Sequence, residues 1–268
     1  MTAGRNYYSL HSYLKNKFGE DVYRISIDAG FTCPNRDGTK GRRGCIFCSE
    51  GSRPGYVNPG MSIPGQIEYG KRLIGKKYGV SKFIAYFQAF SNTYAPADEL
   101  YSVFKAASEE EGICGIAVGT RPDCVDREKI KMLERLSEST FVIVEYGAQS
   151  MKDTTLEKIN RAHTAEDTVK AVLMTLESGR IHTAAHLIFG LPDETKEDML
   201  ESVSILTGLG INGFKFHHLY VERGTILEQY YKDNKISLME RDEYIGLLLE
   251  LMRVIPAGVV IHRLFGEC

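Results

Sequence analysis

Short β-branched or aromatic runs ending in glycine or polar residues alternate along this chain with longer amphipathic stretches, and six such pairs can be counted. Strand-like runs fall at 22–27, 82–88, 113–119, 141–147, 183–189 and 214–219. Helical periodicity follows at about 64–78, 96–109, 126–137, 165–178, 196–209 and 239–255. The boundaries carry their own signals. Pro64 and Pro96 suit a first helical turn, where the missing N–H has no partner to lose. Asp126, and Thr195 before Lys196-Glu197-Asp198, read as N-caps, while Gly179 and Gly210 fall where a helix ends in a left-handed residue.

Strict alternation of strand and helix implies parallel strands joined by right-handed crossovers, because a tight turn cannot connect parallel neighbours. Six units fit an incomplete barrel or an open doubly wound sheet, and periodicity does not choose between them. Both place chemistry at the C-terminal strand ends. The connection after the first predicted strand, 28–63, is long and rich in glycine, and loops of that length inside compact domains tend to be functional.

Composition narrows the class. With 268 residues, 43% apolar and 25% charged, the chain is predicted to be one globular domain, which excludes a disordered segment and a disulfide-held mini-protein. No apolar run approaches the roughly 18 to 20 residues of a membrane span, and the N-terminus has no secretory signature, so a soluble cytoplasmic protein without a membrane partner is expected. The net charge of −2 hides a division: residues 1–82 sum to +8 and residues 83–268 to −10.

Three of the six cysteines sit in the long loop as Cys33, Cys45 and Cys48, a C-x11-C-x2-C pattern. A structural zinc would want a fourth protein ligand, for which Cys114 or Cys124 is available but not required by spacing. Three cysteines without a fourth suit an iron–sulfur cluster with one iron open to a small molecule; zinc and unrelated thiols remain alternatives.

With this trio stand Gly119-Thr120-Arg121-Pro122-Asp123, Glu145-Tyr146-Gly147-Ala148-Gln149-Ser150, Ile159-Asn160-Arg161-Ala162-His163-Thr164, and the run His186 to Glu194 containing Gly190-Leu191-Pro192. Together they resemble the radical S-adenosylmethionine superfamily. The widened first cysteine gap is similar to that of the branch holding the Elongator catalytic subunit and a bacterial subgroup called YhcC-like. The resemblance covers about Asp21 to Arg263. It implies an α/β fold, a partial (β/α)6 TIM-type barrel of parallel strands at 21–264 with an N-terminal cluster-binding loop at 28–63, after an extension at 1–20.

The same resemblance implies a chemistry. Cys33, Cys45 and Cys48 would hold a 4Fe-4S cluster whose open iron binds S-adenosyl-L-methionine, and one electron would cleave that cofactor to methionine and a 5′-deoxyadenosyl radical. Phe47 would pack on the adenine, and Gln88-Ala89-Phe90, with Ala89 acting through its backbone, would meet the methionine amino group. Thr120, Gln149 and His186 would meet ribose and adenine edges, and Arg161 the cofactor carboxylate. Gly190 would let the chain turn close past adenine, which a plain strand-to-helix turn would also require, and His218-Leu219 would complete the contact. Glu145, inside an apolar strand, must be paired to be buried; Arg121 or Lys215 is the expected partner, and these three are the candidate catalytic residues. Alternation sends Lys215 and His217 to one face, Phe216 and His218 to the other.

Lys40, Arg42 and Arg43 in the cysteine loop and Lys71, Arg72, Lys76 and Lys77 on the first long helix form a basic front end. Such a surface suits a phosphate-rich partner, a docking patch for an acidic electron donor such as flavodoxin or ferredoxin, or simply a solvated helix face. The expected function is modification of tRNA at the wobble uridine. Radical modification of a protein or small metabolite is the alternative, and a non-catalytic zinc- or cluster-stabilised binding module a second. The chain carries no acetyltransferase segment like the Elongator subunit's, so acetyl-derived chemistry is not expected from these residues alone.

Overall fold

The computed structural model describes residues 7–49 and 60–266. All six predicted strands form, as β2 (Val22–Ile27), β3 (Lys82–Phe87), β4 (Ile113–Thr120), β5 (Phe141–Gln149), β6 (His182–Phe189) and β7 (Gly213–His218). Two short strands that periodicity could not show flank them: β1 (Tyr8–Ser9) and β8 (Val260–Arg263). Every pairing is parallel, and the order across the sheet is β1-β8-β7-β6-β5-β4-β3-β2. From β2 to β8 this order never reverses, whereas a doubly wound sheet has a switch point. Arg24 of β2 reaches Glu145 of β5 at 3.2 Å across the interior, so the sheet is curled into a half-barrel.

The helices fall where the pattern put them: α2 (Ile63–Tyr78), α3 (Ala97–Ser108), α4 (Arg127–Ser137), α6 (Ala165–Leu176), α7 (Lys196–Gly208) and α9 (Arg241–Val254). Ser62 caps α2, which carries proline in its first turn, and Asp126 caps α4 by accepting from the Lys129 N–H. Thr195 and Asp198 form a reciprocal capping box on α7, a device contributing about 1 kcal/mol. Gly179 and Gly210 end α6 and α7 near φ 65° and 85°. Three helices were not anticipated: α1 (Leu10–Phe18), α5 (Asp153–Lys158) and α8 (Ile226–Lys232).

The described part of the expected extension at 1–20, residues 7–20, supplies β1 and α1. Leu10 and Leu14 of α1 bury against Val22, Ile84, Ala117, Ile143 and Val260 at the lower ends of five strands. This closes the base of the half-barrel and leaves the C-terminal strand ends as the open rim. Outward-facing strand residues such as Ile25, Phe87, Val144 and Phe216 pack with the helices in the main core. Among the described residues, no helix is long and apolar enough to cross a membrane.

Candidate active site

A cavity of about 660 Å³ opens at that rim, within the roughly 300–1,000 Å³ typical of small-molecule sites, and Cys33, Cys45 and Cys48 all line it. The cysteine loop is tied down at defined points. Asn35 Nδ2 donates to the Asn160 carbonyl at 2.6 Å, Asn160 Nδ2 donates to the Gly44 carbonyl at 2.7 Å, and the Ile46 N–H meets the Ile159 carbonyl at 3.0 Å. On its other side the Leu227 N–H of α8 donates to the Ile46 carbonyl at 2.9 Å. The two short helices that periodicity missed are thus the clamps of this loop.

Arg161 follows α5 in a turn and is buried, not exposed on a helix face. Its neighbours Asn160 and Ala162 both hold left-handed backbone, at φ 52° and 58°, a strain that aims the intervening side chain into the rim. Nη1 lies 3.4 Å from Cys45 Sγ, Nε donates to His163 Nε2 at 2.9 Å, and Nη2 donates to the Gly147 carbonyl at 2.5 Å. Gly147 permits this approach, since a Cβ there would lie 2.8 Å from Nη2. The Cys48 thiol and Arg161 favour the thiolate at Cys45 and hold it well below the usual thiol range, whereas Cys48 is pushed up by its hydrogen bond to Cys45. These contacts favour the thiolate, the form in which cysteine binds a metal centre, at Cys45 over Cys48.

Neither Cys114 nor Cys124 lines the cavity, and burial pushes both thiols up to about 11. Among the described residues, no three histidine, cysteine or carboxylate side chains converge to grip a single metal ion. The arrangement suits three separate thiolate anchors better than a tetrahedral four-donor site.

Phe47, Gln88, Thr120, Gln149 and His186 also line the cavity. Phe90 and Gln149 adopt φ 61° and 70°, so two strand ends carry left-handed residues at the rim. Gln88 Nε2 donates to Ser26 Oγ at 2.8 Å, and Ala89 is buried, with its carbonyl accepting from Asn92 Nδ2 at 3.0 Å. Thr120 Oγ1 is engaged by Ser91 and Thr93 at 3.0 and 2.6 Å. His218 and Leu219 line a smaller adjoining cavity of about 170 Å³ with Phe47, Gln149 and His186. Gly190 turns at φ 82° against Met239 and lines neither cavity.

Among the described residues, three buried polar atoms on the cysteine side of the main cavity have no partner: Gln149 Oε1, His186 Nε2 and Arg121 Nη1. A polar ligand bearing amino, carboxylate and hydroxyl groups would satisfy such atoms, and the cysteine trio offers the donor set of an iron–sulfur centre. The residues present therefore fit both groups.

Below the rim lies a charged cluster. Glu145 accepts from Arg24 Nη1 at 3.2 Å and His262 Nδ1 at 2.7 Å through Oε1. Through Oε2 it accepts from Lys215 Nζ at 3.1 Å and from the Tyr86 hydroxyl. Lys215 is the expected partner, but Arg121 is not. Arg121 is turned away by a two-point contact with Asp123 at 2.8 and 2.9 Å and donates to the Arg161 carbonyl, so it braces the cysteine side of the cavity. Burial alone would raise the Glu145 carboxyl, yet Lys215, His262 and Arg24 outweigh it and hold the group ionised, well below the usual carboxylate range. Burial brings Lys215 down to about 8. Lys215 and His217 face the cavity and Phe216 the core, as alternation required, whereas His218, at the strand end, lines the adjoining cavity with His217 instead of following Phe216. Arg24, Tyr86, His262 and Arg263 were not anticipated; asking which strand positions share a face with Glu145 would have found them.

A sequence profile of the Radical SAM superfamily matches residues 37–206, and one of the Radical_SAM C-terminal domain matches residues 211–268. The chain belongs to the radical S-adenosylmethionine superfamily. It is 34% identical to YtqA of Bacillus subtilis over 98% of this chain and 82% of that protein. It is 31% identical to YhcC of Escherichia coli over 94% of this chain and 80% of that protein. A tRNA uridine(34) acetyltransferase of Dehalococcoides mccartyi is 27% identical over 57% of this chain and 33% of its own length. Among solved structures, an archaeal Elp3 from Methanocaldococcus infernus superposes with a TM-score of 0.65 at 17% identity, covering 90% of this chain and 55% of that one. The partial barrel of this superfamily is therefore the fold of the chain, and the chain is a radical S-adenosylmethionine enzyme.

Proposed function

We propose that Cys33, Cys45 and Cys48 hold a 4Fe-4S cluster beside a bound S-adenosyl-L-methionine, and that the substrate is a tRNA uridine. When bound, such a cluster supplies the electron that splits the cofactor into methionine and a 5′-deoxyadenosyl radical able to abstract a hydrogen atom. The convergence of all three cysteines on one cavity with three unpartnered polar atoms, Gln149 Oε1, His186 Nε2 and Arg121 Nη1, carries the first half of this reading. Arg161 fixes Cys45 and offers charge beside it; Gln149 and His186 offer an acceptor and a neutral imidazole nitrogen, since burial and then Lys215 push His186 well below the usual histidine range. Phe47 lines both the main and the adjoining cavity, and with Leu219 of the adjoining one it would hold the adenine. The buried Glu145–Lys215 pair forms part of the cavity floor, tying β5 to β7 there.

The likeness to a tRNA uridine(34) acetyltransferase supports the substrate class. Exposed Arg42, Arg43, Arg72, Lys76 and Lys77 beside the cysteine loop and on α2 would give a polyanion many weak contacts, or seat a flavodoxin or ferredoxin. The deciding experiment compares tRNA nucleosides from a deletion strain and its parent by mass spectrometry. A uridine derivative present in the parent and missing in the deletion is expected. Identical profiles would move the substrate to a protein or small metabolite.

A further inference from the structure

Consecutive residues of a strand point to opposite faces, but His262 and Arg263 of β8 both face the barrel interior. The pairing of β7 with β8 shows why: Phe214 lies opposite Ile261, but Lys215 lies opposite Arg263, so His262 is the extra residue of a bulge. Bulges beside active sites re-aim side chains. Here the bulge lets His262 bind Glu145 while Arg263 is delivered to the cavity wall.

Among the described residues Arg263 finds no hydrogen-bond partner there. Its electrostatic neighbours include Tyr86, Glu145, Arg24, Tyr220, Tyr244, His186 and His217, among which Glu145 is the one carboxylate. The four lone-pair sites of Glu145 are taken by Arg24, His262, Tyr86 and Lys215. Glu222 lines the same cavity but makes no ion pair with Arg263 among the described residues. The Arg263 Nε is buried without a partner. Around the floor, Arg24, Lys215 and Arg263 face the single carboxylate of Glu145. Such an excess of cations in a secluded wall is costly unless an anion completes it.

We propose that Arg263 is the binding residue for an oxyanion carried by the substrate, a phosphate or carboxylate that enters the cavity with the reacting group. The proposal rests on the cavity being the substrate chamber, and under the tRNA reading the oxyanion is the phosphate of the target nucleotide. A charge-assisted contact of this kind distinguishes a ligand with the oxyanion from one without it by roughly 10- to 100-fold.

The test titrates reconstituted full-length protein, saturated with S-adenosylmethionine and without reductant, with uridine 5′-monophosphate, uridine and succinate by calorimetry. Wild type is expected to bind the nucleotide roughly 10- to 100-fold more tightly than the nucleoside. Arg263→Gln is expected to bind both alike, and Arg263→Lys to fall between. Unchanged S-adenosylmethionine binding in both variants would show that they are folded. Arg263-dependent binding of succinate but not of the nucleotide would uphold the oxyanion site and overturn the nucleotide assignment. Equal binding of nucleotide and nucleoside by wild type, with no succinate binding, or a preference that survives Arg263→Gln, would overturn the proposal whatever the tRNA profile shows.

Discussion

Lys215 on β7 reaches past β6 to place its ammonium 3.1 Å from Oε2 of Glu145 on β5, and both side chains are buried. Two strands of the half-barrel are thereby tied across a third through one carboxylate. Removing one partner of a buried pair leaves the other uncompensated, at a cost of about 3–5 kcal/mol, whereas removing both costs less. Glu145→Gln and Lys215→Met are each expected to destabilise strongly in urea unfolding. The double variant should lose at least about 1 kcal/mol less than the sum. Additive losses would mean the two groups act independently.

Acid should weaken the fold through its buried histidines, offset only in part by Glu194, whose carboxyl burial pushes up to about 7 so that it takes its proton first in the folded state. Burial lowers His182 to about 3 and His217 to about 4, and also lowers His262 and His186. A histidine whose folded value lies below its unfolded value of 6.5 binds more protons when unfolded, so stability is full above pH 6.5 and falls as pH drops below it. His182 alone corresponds to about 2 kcal/mol at pH 5. The urea midpoint should therefore fall between pH 7 and 5, and less so in His182→Asn. A flat profile would place these rings in a different state.

Gly147 is a steric lever on the cysteine side. A methyl group there would sit 2.8 Å from both Arg161 Nη2 and Gln149 Nε2, so one or both must move. Gly147→Ala should weaken S-adenosylmethionine binding by about tenfold or more, at a stability cost of about 1–2 kcal/mol. Calorimetry on the reconstituted variant measures the first and urea unfolding the second. Wild-type affinity would remove Arg161 and Gln149 from the cofactor contact.

The alternation of strands and helices was legible because each strand from β2 to β7 is bounded by turn residues and followed by an amphipathic helix long enough to show its period. β1 and β8, with two and four residues, are too short to carry a period, and α5 and α8 span fewer than two full turns each. The cysteine trio and Arg161 were legible from spacing and resemblance. The charged floor was only half visible: Glu145 stood out as an acid in an apolar strand, but its partners come from β2, β3, β7 and β8 and meet only through the curl of the sheet. Arg121 looked free to pair with Glu145 because sequence does not show that Asp123, two residues on, holds it at 2.8 Å. Arg263 required the bulge, which no local pattern announces.

The central claim is that three cysteines of one loop hold an open cluster that binds S-adenosylmethionine. Anaerobic reconstitution followed by electron paramagnetic resonance of the reduced protein, with and without S-adenosylmethionine, tests it most directly. About four iron and four sulfide per chain are expected, with a reduced-cluster signal that shifts when the cofactor is added and is lost in Cys45→Ala. Zinc without iron uptake, or a cluster signal indifferent to both the cofactor and Cys45, would contradict it.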